Sequence, residues 1–325
     1  MKRNIYLLSL IVLLFSCKKD EEMAPVNDLN NRINYVIADN KFNFSCLQMA
    51  LTVTNMSDKL AGEGPFTVLA PDDNAFQAAG YGNAGAVALE SGAVLNNMVK
   101  YHVLNGRWEL NKLPFRFNQE IATSLGTRLF VTRWVKNTDT VLVINGAKVT
   151  ASNLKASNGL IQVLSAVLQP LAQSKISDAI AGDSSLTFFN VALQQAGMKE
   201  LLRGEGPYTI FAPSNNAFRQ EGFPSIDSIA QTDASILQSM LKFHILANRR
   251  FIYDYVLSTD ETDVSRQTML NNSTTTVKLL KGGVSYTGIT IEGSGNAQPA
   301  SMQKSNILAD NGVLHIIDKV LKENF

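Results

Sequence analysis

One segment of the chain occurs twice, and this repeat constrains the architecture more than any other feature. Residues 60–76 read LAGEGPFTVLAPDDNAF and residues 202–218 read LRGEGPYTIFAPSNNAF, with 11 of 17 positions identical at an offset of 142. This period is longer than the roughly 20–50 residues of a solenoid unit. The 325-residue chain is therefore expected to hold two copies of one domain, each able to bury its own core. Chemistry that the fold requires should appear in both copies.

The first 16 residues have the form of a signal peptide. Two basic residues precede an apolar run of 11 residues, Ile5 to Phe15, which is too short to span a bilayer. The run is followed by Ser16 and Cys17, and this ending resembles a bacterial lipobox. On that interpretation residues 1–16 are removed and Cys17 becomes a lipidated N-terminus. The alternative is a core cysteine that happens to follow a signal peptide.

Residues 17–30 are polar, contain Pro25 and are expected to form a tether. Within them, Lys18 to Glu22 resembles the lysine-then-acidic export signal of lipoproteins in the Bacteroidetes group. This resemblance implies a lipid anchor in the outer membrane, with the protein exposed at the cell surface. One alternative is a solvated tether that carries no export signal. The other is an anchor that faces the periplasm.

Composition and charge exclude some classes of partner. The chain is 45% hydrophobic and 18% charged, with 29 basic and 28 acidic residues. This balance is neither that of a disordered protein nor that of a nucleic-acid-binding protein. With Cys17 acylated, Cys46 is the one remaining thiol. It cannot form an internal disulfide, and we expect a small buried side chain there rather than a nucleophile.

Each copy is expected to begin with an amphipathic helix, since apolar residues recur at helical spacing along residues 44–51 and 186–193. These stripes stop at Asn55 and Gly197, the two residue types that most readily adopt the left-handed conformation of a helix end. The two copies thus have different residues at this position, and both residues favour the left-handed backbone conformation. This agreement is good evidence for the end of a helix.

A strand is predicted next, at residues 66–70, because this run is rich in strand formers and is stopped by Pro71. The following residue is Asp72 in one copy and Ser214 in the other, and both are favourable helix N-caps. A second helix is predicted through the apolar residues of 94–99 and 236–241.

The second half of each copy reads as strands. Apolar runs and a turn at Asn145-Gly146 lead to closing segments at residues 158–164 and 311–318, where the offset has grown to 153. We expect the extra residues of the second copy in a surface loop at 293–299. Helices first and strands last predict the α+β class rather than a parallel α/β fold.

Taken together, these motifs resemble the fasciclin family. Residues 67–76 and 209–218 match its Thr-x-Phe-Ala-Pro motif, the first with Leu69 in place of Phe. Its second motif centres on a Tyr-His pair, present as Tyr101-His102 and, without the hydroxyl, as Phe243-His244. Its closing Asn-Gly-Val-Ile-His pattern is nearly complete in the second copy, whereas the first has Gln162 in place of the histidine.

This resemblance implies two tandem domains at residues 31–170 and 171–325, each a wedge of β-sheets flanked by helices. It also implies adhesion as the role, that is, binding of other proteins or matrix sugars without chemistry. In animal members the Tyr-His region is linked to receptor binding, so Tyr101, His102, Phe243 and His244 become candidate binding residues. The alternative for both histidines is a structural role at the helix-to-strand junction, satisfied by buried backbone groups.

The sequence lacks the common motifs of enzymatic chemistry. There is no Gly-x-Ser-x-Gly, no His-Glu-x-x-His, no P-loop and no cysteine pair, and the three histidines lie in different segments. We therefore expect no metal site and no cofactor. Asp72 and Asp73 form the best candidate acid–base pair, but the second copy has Ser214 and Asn215 there, which cannot do that chemistry.

Two short segments, Asp139-Thr140-Val141 and Asp227-Ser228-Ile229, resemble the O-glycosylation sequon of Bacteroidetes envelope proteins. Matches of three residues also arise by chance, so the alternative is two ordinary surface segments.

The sequence thus predicts a non-enzymatic, lipid-anchored surface protein with a protein or glycan ligand. The alternative function is an envelope enzyme or a carbohydrate-processing accessory protein. A pocket of clustered acidic or histidine side chains would favour that alternative.

Overall fold

Helices precede strands in each copy of the repeat. The computed structural model describes residues 29–171, 174–283 and 285–324, and the segments predicted as signal peptide and most of the predicted tether lie outside these ranges. In the first copy (29–171) the helices are α1 (Ile33–Asp39), α2 (Lys41–Val53), α3 (Met56–Leu60), α4 (Asp73–Ala78), α5 (Ala84–Ala88) and α6 (Gly92–Tyr101). The strands are β1 (Phe66–Pro71), β2 (Val103–Asn105), β3 (Arg116–Ala122), β4 (Arg128–Lys136), β5 (Asp139–Ile144), β6 (Ala147–Ala156) and β7 (Gly159–Leu164).

The second copy (174–324) repeats this order with the same number of α-helices. Its helices are α7 (Ile176–Gly182), α8 (Thr187–Gln195), α9 (Asn215–Gln220), α10 (Ile226–Ala230), α11 (Ala234–Lys242) and α12 (Ile252–Ser258), with 3-10 turns at Ser184–Leu186 and Leu201–Arg203. Its strands are β8 (Tyr208–Pro213), β9 (Ile245–Leu246), β10 (Val264–Thr268), β11 (Thr274–Gly282), β12 (Ser285–Gly293), β13 (Ala300–Ala309) and β14 (Gly312–Ile317). Where the second copy has α12, the first has the 3-10 turn Leu110–Lys112.

The two sheets have the same topology. Their strand orders are β2-β1-β7-β6-β5-β4-β3 and β9-β8-β14-β13-β12-β11-β10. Neighbouring strands are antiparallel except for the pairs β1–β7 and β8–β14, which are parallel. Each sheet opens in the middle: β5 and β6 pair only at Val143 with Lys148 and at Ile144 with Ala147, and β12 pairs with β13 over a similarly short stretch. This opening produces the wedge, and the α+β class is confirmed.

Local signals in the sequence are also confirmed. Asn55 and Gly197 have φ values of 55° and 65°, so both helix ends adopt the left-handed conformation. The side chains of Asp72 and Ser214 accept hydrogen bonds from the backbone N–H three residues on, which makes them N-caps. Cys46 is buried at 1% exposure, and burial raises the pKa of its thiol to about 11.

A buried asparagine joins the closing strand of each copy to the helices. The side-chain oxygen of Asn158 accepts from the N–H of Ile33 at 2.9 Å, and its NH2 donates to the carbonyls of Leu60 and Gly62. Its own carbonyl accepts from the N–H of Phe66, the first residue of β1. One residue therefore fixes the first helix, the turn and the parallel strand pair together.

Asn311 makes the same set of bonds in the second copy, to Ile176, Leu202, Gly204 and Tyr208. The repeated Gly-Glu-Gly-Pro turn belongs to this arrangement. A Cβ on Gly64 would lie 2.4 Å from the carbonyl oxygen of Asn158, and φ there is +75°. Only glycine allows the turn to approach the asparagine so closely.

The insertion expected wholly at 293–299 is distributed over several places. The N–H of Trp108 donates to the hydroxyl of Thr67, and the N–H of Arg250 donates to the hydroxyl of Thr209. Trp108 and Arg250 are thus equivalent residues, and they are still 142 positions apart. The backbone N–H groups of Thr123 and Met269 each donate to the carbonyl four residues later in the chain. These two equivalent residues are 146 positions apart, so four extra residues lie before Met269. Helix α12 therefore takes up part of the insertion, because a helix replaces a short 3-10 turn, and the loop after β12 holds much of the remainder.

The two copies share a packed interface. The guanidinium of Arg249 lies 3.8 Å from the ring centroid of Phe130, and the rings of Phe130 and Phe251 are 6.3 Å apart. Next to them the buried carboxylate of Asp254 accepts from the side chains of Thr132, at 2.9 Å, and of Asn118, at 3.2 Å. Residues of both copies thus complete one another's hydrogen bonds.

Replacing Asn158 or Asn311 by alanine should destabilise the fold by about 1–3 kcal/mol for each buried group left without its partner. Urea unfolding of the full chain measures this loss. Asn43→Ala is the control, because Asn43 is exposed and bonds only to Asn40. A loss no larger than that of the control would show that the asparagine does not hold the junction.

Candidate functional site

The two Tyr-His-type motifs lie at equivalent places, where α6 and α11 end and the next strand begins. His102 is 2% exposed and His244 is 1% exposed. Tyr101 and Phe243, which precede them, are equally buried. The side chains of Tyr101, His102 and His244 are thus withdrawn from the surface, so a partner could reach them only through neighbouring residues.

Both histidines bind backbone groups through both ring nitrogens. Nδ1 of His102 lies 2.8 Å from the carbonyl oxygen of Met98, and Nε2 accepts from the N–H of Leu168 at 3.0 Å. His244 makes the equivalent bonds to Met240 and Leu321 at 2.8 and 2.9 Å. Because Nε2 accepts, the ring is neutral with its proton on Nδ1. Each imidazole therefore ties the end of a helix to the segment that follows the closing strand.

Burial holds these histidines neutral over a wide pH range. Desolvation lowers the pKa of His102 and of His244 to about 4, although the bond to the helix carbonyl acts in the opposite direction. A general base for use near pH 7 needs a pKa close to that value and access to a proton. These two side chains have the properties of structural residues.

The hydroxyl of Tyr101 is likewise hydrogen-bonded inside the first domain. It donates to the carbonyl of Arg128 at 2.9 Å and accepts from the side-chain NH2 of Asn145 at 2.7 Å. Desolvation raises its pKa to about 12. Phe243 lacks the hydroxyl, and its ring instead helps to line a surface groove of the second copy.

His315 and Gln162 occupy one structural position and make the same two bonds. His315 accepts from the N–H of Asn306 at 3.2 Å, and its other ring nitrogen lies 3.0 Å from the carbonyl oxygen of Arg250. Gln162 accepts from the N–H of Asn153 at 3.0 Å, and its NH2 lies 3.4 Å from the carbonyl oxygen of Trp108. An amide and a neutral imidazole each offer one donor and one acceptor, so either can form this bridge.

The carboxylate pair Asp72 and Asp73 is divided between two structural tasks. Asp72 caps α4, and Asp73 accepts from the backbone N–H groups of Ser45 and Cys46 and from the Ser45 hydroxyl. These bonds lower the pKa of Asp73 despite its partial desolvation. Asn215 replaces Asp73 in the second copy and accepts from the N–H of Phe188 in the same way.

An apolar groove of about 610 Å³ lies beside α11 in the second copy. We call it the α11 groove; it is lined by Phe223, Ile236, Met240, Phe243, Val320 and Leu321, with Glu221, Ser235, Ser239, Lys322 and Glu323 at its rim. Ile236 is 61% exposed. Lys322 pairs with Glu221 across the groove at 2.8 Å. The histidine of the motif holds one wall in place, because Leu321 is the residue that His244 binds.

A second depression, of about 490 Å³, is polar and lies where the two copies meet. Arg128 of the first copy pairs there with Glu120 and with Asp310 of the second copy. Arg249 lies at its base and donates to the carbonyls of Ala309, Asp310 and Gly312. Burial lowers the pKa of this guanidinium to about 10. Arg128, Arg249, Glu120 and Asp310 of this cleft thus bind one another or the backbone.

The two glycosylation-like segments differ in accessibility. Thr140 lies in β5 and is exposed. The hydroxyl of Ser228 is engaged in the capping box of α10, where it donates to the carbonyl of Ser225 and accepts from its N–H. Modification at Ser228 would disrupt this cap, whereas Thr140 presents no such obstacle.

The described residues contain no group of three or more histidine, cysteine, aspartate or glutamate side chains placed to hold a metal ion. In the same ranges, no helix has the length and hydropathy needed to cross a bilayer.

Comparison with known proteins gives the family. The model of the fasciclin domain matches residues 42–170 and again residues 184–323. The chain belongs to the fasciclin-domain family. Within each fasciclin domain, the repeated motifs are those that form the strand junction, the N-cap and the buried histidine. The boundary drawn at residue 170 from the sequence stays a prediction.

Relatives of this fasciclin chain occur in animals and in bacteria. It is 25% identical to human periostin over 270 residues, which are 82% of the chain and 29% of periostin. It is 23% identical to human stabilin-1, over 85% of the chain and 10% of that protein. Protein sll1483 of Synechocystis is 32% identical over 39% of the chain and 67% of its own length. The chain therefore spans less than a third of periostin and of stabilin-1.

Among solved structures, the fasciclin chain is similar to a FAS1 domain pair from the insect cell adhesion molecule fasciclin I. The identity is 16%, the TM-score is 0.42, and the match covers 86% of this chain and 97% of that one.

His315→Gln should preserve the fold and flatten the pH dependence of stability. Burial lowers the pKa of His315 to about 4 from the ordinary 6.5. Between these pH values the unfolded chain binds a proton that the folded chain excludes. The free energy of unfolding therefore falls as pH falls, by up to about 1.4 kcal/mol per pH unit for each such histidine. Urea unfolding at several pH values between 7.5 and 4.5 measures the slope.

His315→Ala is the matched control, because alanine leaves two backbone groups without partners and should cost about 1–3 kcal/mol at pH 7.5. Glutamine should cost clearly less, since Gln162 forms the same bridge in the first copy. A glutamine variant as unstable as the alanine variant, or one with the full pH dependence of the parent, would contradict this assignment.

Proposed function

We propose that this chain is a non-enzymatic binding protein that recognises an extracellular protein or glycan. The observation that carries the proposal is the α11 groove. Its volume of about 610 Å³ falls in the range of ligand sites, which are mostly apolar with a few polar groups. An exposed isoleucine at the edge of an apolar depression is typical of a surface that a partner covers.

The state of the titratable groups supports binding over catalysis. Both shared histidines are neutral, buried and bonded to backbone through both nitrogens. The best carboxylate pair caps one helix and binds the backbone of another. Side chains that are hydrogen-bonded to the backbone in this way stabilise a rigid scaffold, and a binding surface needs such a scaffold.

Membership of the fasciclin family supports the same proposal, since the resemblance implies adhesion as the common role. The match covers between 8% and 35% of the animal relatives' own length, so their own partners are not transferred to this chain. The class proposed here is an extracellular protein or a glycan, bound by the surfaces of two linked domains.

The proposal includes a lipid anchor at Cys17 and exposure on the outer face of the outer membrane, with the periplasmic face as the alternative. Its support is the apolar run before Ser16-Cys17 and the lysine-acidic segment after it. These residues lie outside the described part of the chain, so this part of the proposal depends on the sequence alone.

Ile236→Glu should weaken adhesion through the α11 groove at least tenfold, because a partner would have to bury the new charge; a tenfold loss corresponds to about 1.4 kcal/mol. The measurement is binding of the mature chain to a panel of immobilised extracellular proteins and glycans. Val94→Glu is the matched control, since Val94 is the counterpart of Ile236 on α6 and is 49% exposed. Equal loss in both variants, or no loss with Ile236→Glu, would exclude the groove.

Cys17→Ala should leave the protein unlipidated, since no thiol would remain at the cleavage site. Fractionation should then find it released from the membrane or with its signal peptide uncut, whereas the parent sediments with the outer membrane. Cys46→Ala is the control, because Cys46 is buried inside the first domain. Maturation and fractionation of the Cys17 variant like the parent would show that Cys17 is not the anchor.

A further inference from the structure

The sheet of the first fasciclin domain is open between β5 and β6. Within the described chain these strands pair at Val143 with Lys148 and at Ile144 with Ala147, next to their connecting turn. Beyond those pairs β5 continues along β4 as far as Asp139, while β6 continues along β7. The facing edges of Asp139–Leu142 and Val149–Ser152 therefore diverge, and we call the space between them the β5–β6 seam.

A cleft of about 580 Å³ occupies the β5–β6 seam. Its lining comes from the two strands, from the neighbouring strand β4 and from the 3-10 turn: Asn111, Arg133, Asp139, Thr140, Val141, Leu142, Lys148, Val149, Thr150 and Ser152. Thr140 and Thr150, on opposite sides, are exposed. Strand edges that diverge leave main-chain donors and acceptors without the partners that a continuous ladder would provide.

The second domain has the same opening between β12 and β13, but it has a helix beside it. Helix α12 contacts β11 and β12. It places Tyr255 and Val256 in the same core cluster as Leu279 and Ile289 of those strands. The first domain has a 3-10 turn of three residues instead, Leu110–Lys112. The β5–β6 seam is therefore the version of the opening that lacks this helix.

The charges of the β5–β6 seam favour an occupant with acceptor groups. Arg133 donates through Nη1 to the carbonyl of Leu113 at 2.7 Å, and its guanidinium lies 3.9 Å from the ring centroid of Phe115. Its Nε is buried and has no hydrogen-bond partner among the described residues. Lys148 adds an exposed positive charge, and Asp139 is the one acidic residue among those that line the cleft. A carboxylate or a carbonyl oxygen would complete this arrangement.

We infer that the β5–β6 seam binds an extended, acidic peptide segment of a protein partner, which adds as a strand between β5 and β6. An extended polypeptide presents N–H and C=O groups alternately at the spacing of a strand edge, so main-chain bonds supply affinity. Asp139–Leu142 is four residues long, which corresponds to about 13 Å at about 3.3 Å per residue. An acidic side chain near Arg133 sets the register. This site is separate from the α11 groove and does not depend on it.

The test begins with octapeptides selected from a random displayed library against the mature chain. Selected peptides are synthesised in two forms, one unmodified and one N-methylated at alternate residues, which removes main-chain donors without changing the side chains. Peptides bound at the seam should be rich in aspartate and glutamate, and N-methylation should weaken them at least tenfold. Hydrogen exchange of residues 139–142 and 149–152 should slow when the unmodified peptide binds.

Two variants and two controls locate the binding site. Thr140→Asp places a negative charge at the β5 edge and should weaken the acidic peptide at least tenfold, as should Arg133→Gln. Thr287→Asp is the matched control, because Thr287 is an exposed residue of β12 in the second domain. Ile236→Glu should leave this binding unchanged, and so separates the seam from the α11 groove.

Failure to select any peptide, retained binding by the N-methylated form, or equal loss with Thr140→Asp and Thr287→Asp would each overturn the inference. So would a set of peptides that are all lost with Ile236→Glu, since these bind the groove.

Discussion

The fold depends most on one buried amide in each domain. Asn158 and Asn311 each bond through the side chain to the first helix and to the glycine-rich turn, and through the backbone to the opening strand. These bonds close the parallel strand pair, although the strands are separated by nearly the whole domain. The segment between these strands includes the helix that ends in the buried histidine. A glycine turn and an asparagine far apart in sequence are therefore a single structural unit.

Differences between the two domains show which features are structural and which are free to vary. His315 and Gln162 make the same bridge, so imidazole chemistry is dispensable at that position. Helix α12, in contrast, has no helical counterpart in the first domain, and the two domains consequently present different surfaces. The α11 groove belongs to the second domain and the β5–β6 seam to the first. The duplication thus preserves a scaffold while allowing its binding surfaces to diverge.

The sequence predicted those features that have local causes. Helix ends, N-caps and the α+β class follow from a few neighbouring residues, and all were recognisable in the repeat. The parallel pairing of the closing strand was missed because it depends on Asn158 meeting residues about a hundred positions earlier. Ile236 was one of the apolar residues from which its helix was predicted, yet it is 61% exposed, since helical spacing alone does not say how wide the buried face is. Asp254 was missed because it lies in α12, which a comparison of the copies cannot show.

The interface between the domains bears directly on how the protein could use two sites. Burial raises the pKa of Asp254, and the hydrogen bonds from Phe251, Thr132 and Asn118 act against that shift. Two of these donors come from the other domain, so separating the domains would remove partners from a buried carboxylate, at a cost of about 1–3 kcal/mol or more. The packing of Phe130 against Arg249 and Phe251 adds to this. Two sites held in this way keep a fixed spacing, and linkage then raises avidity only for partners whose own sites match that spacing. The interface therefore makes partner geometry, and not only partner chemistry, a determinant of binding.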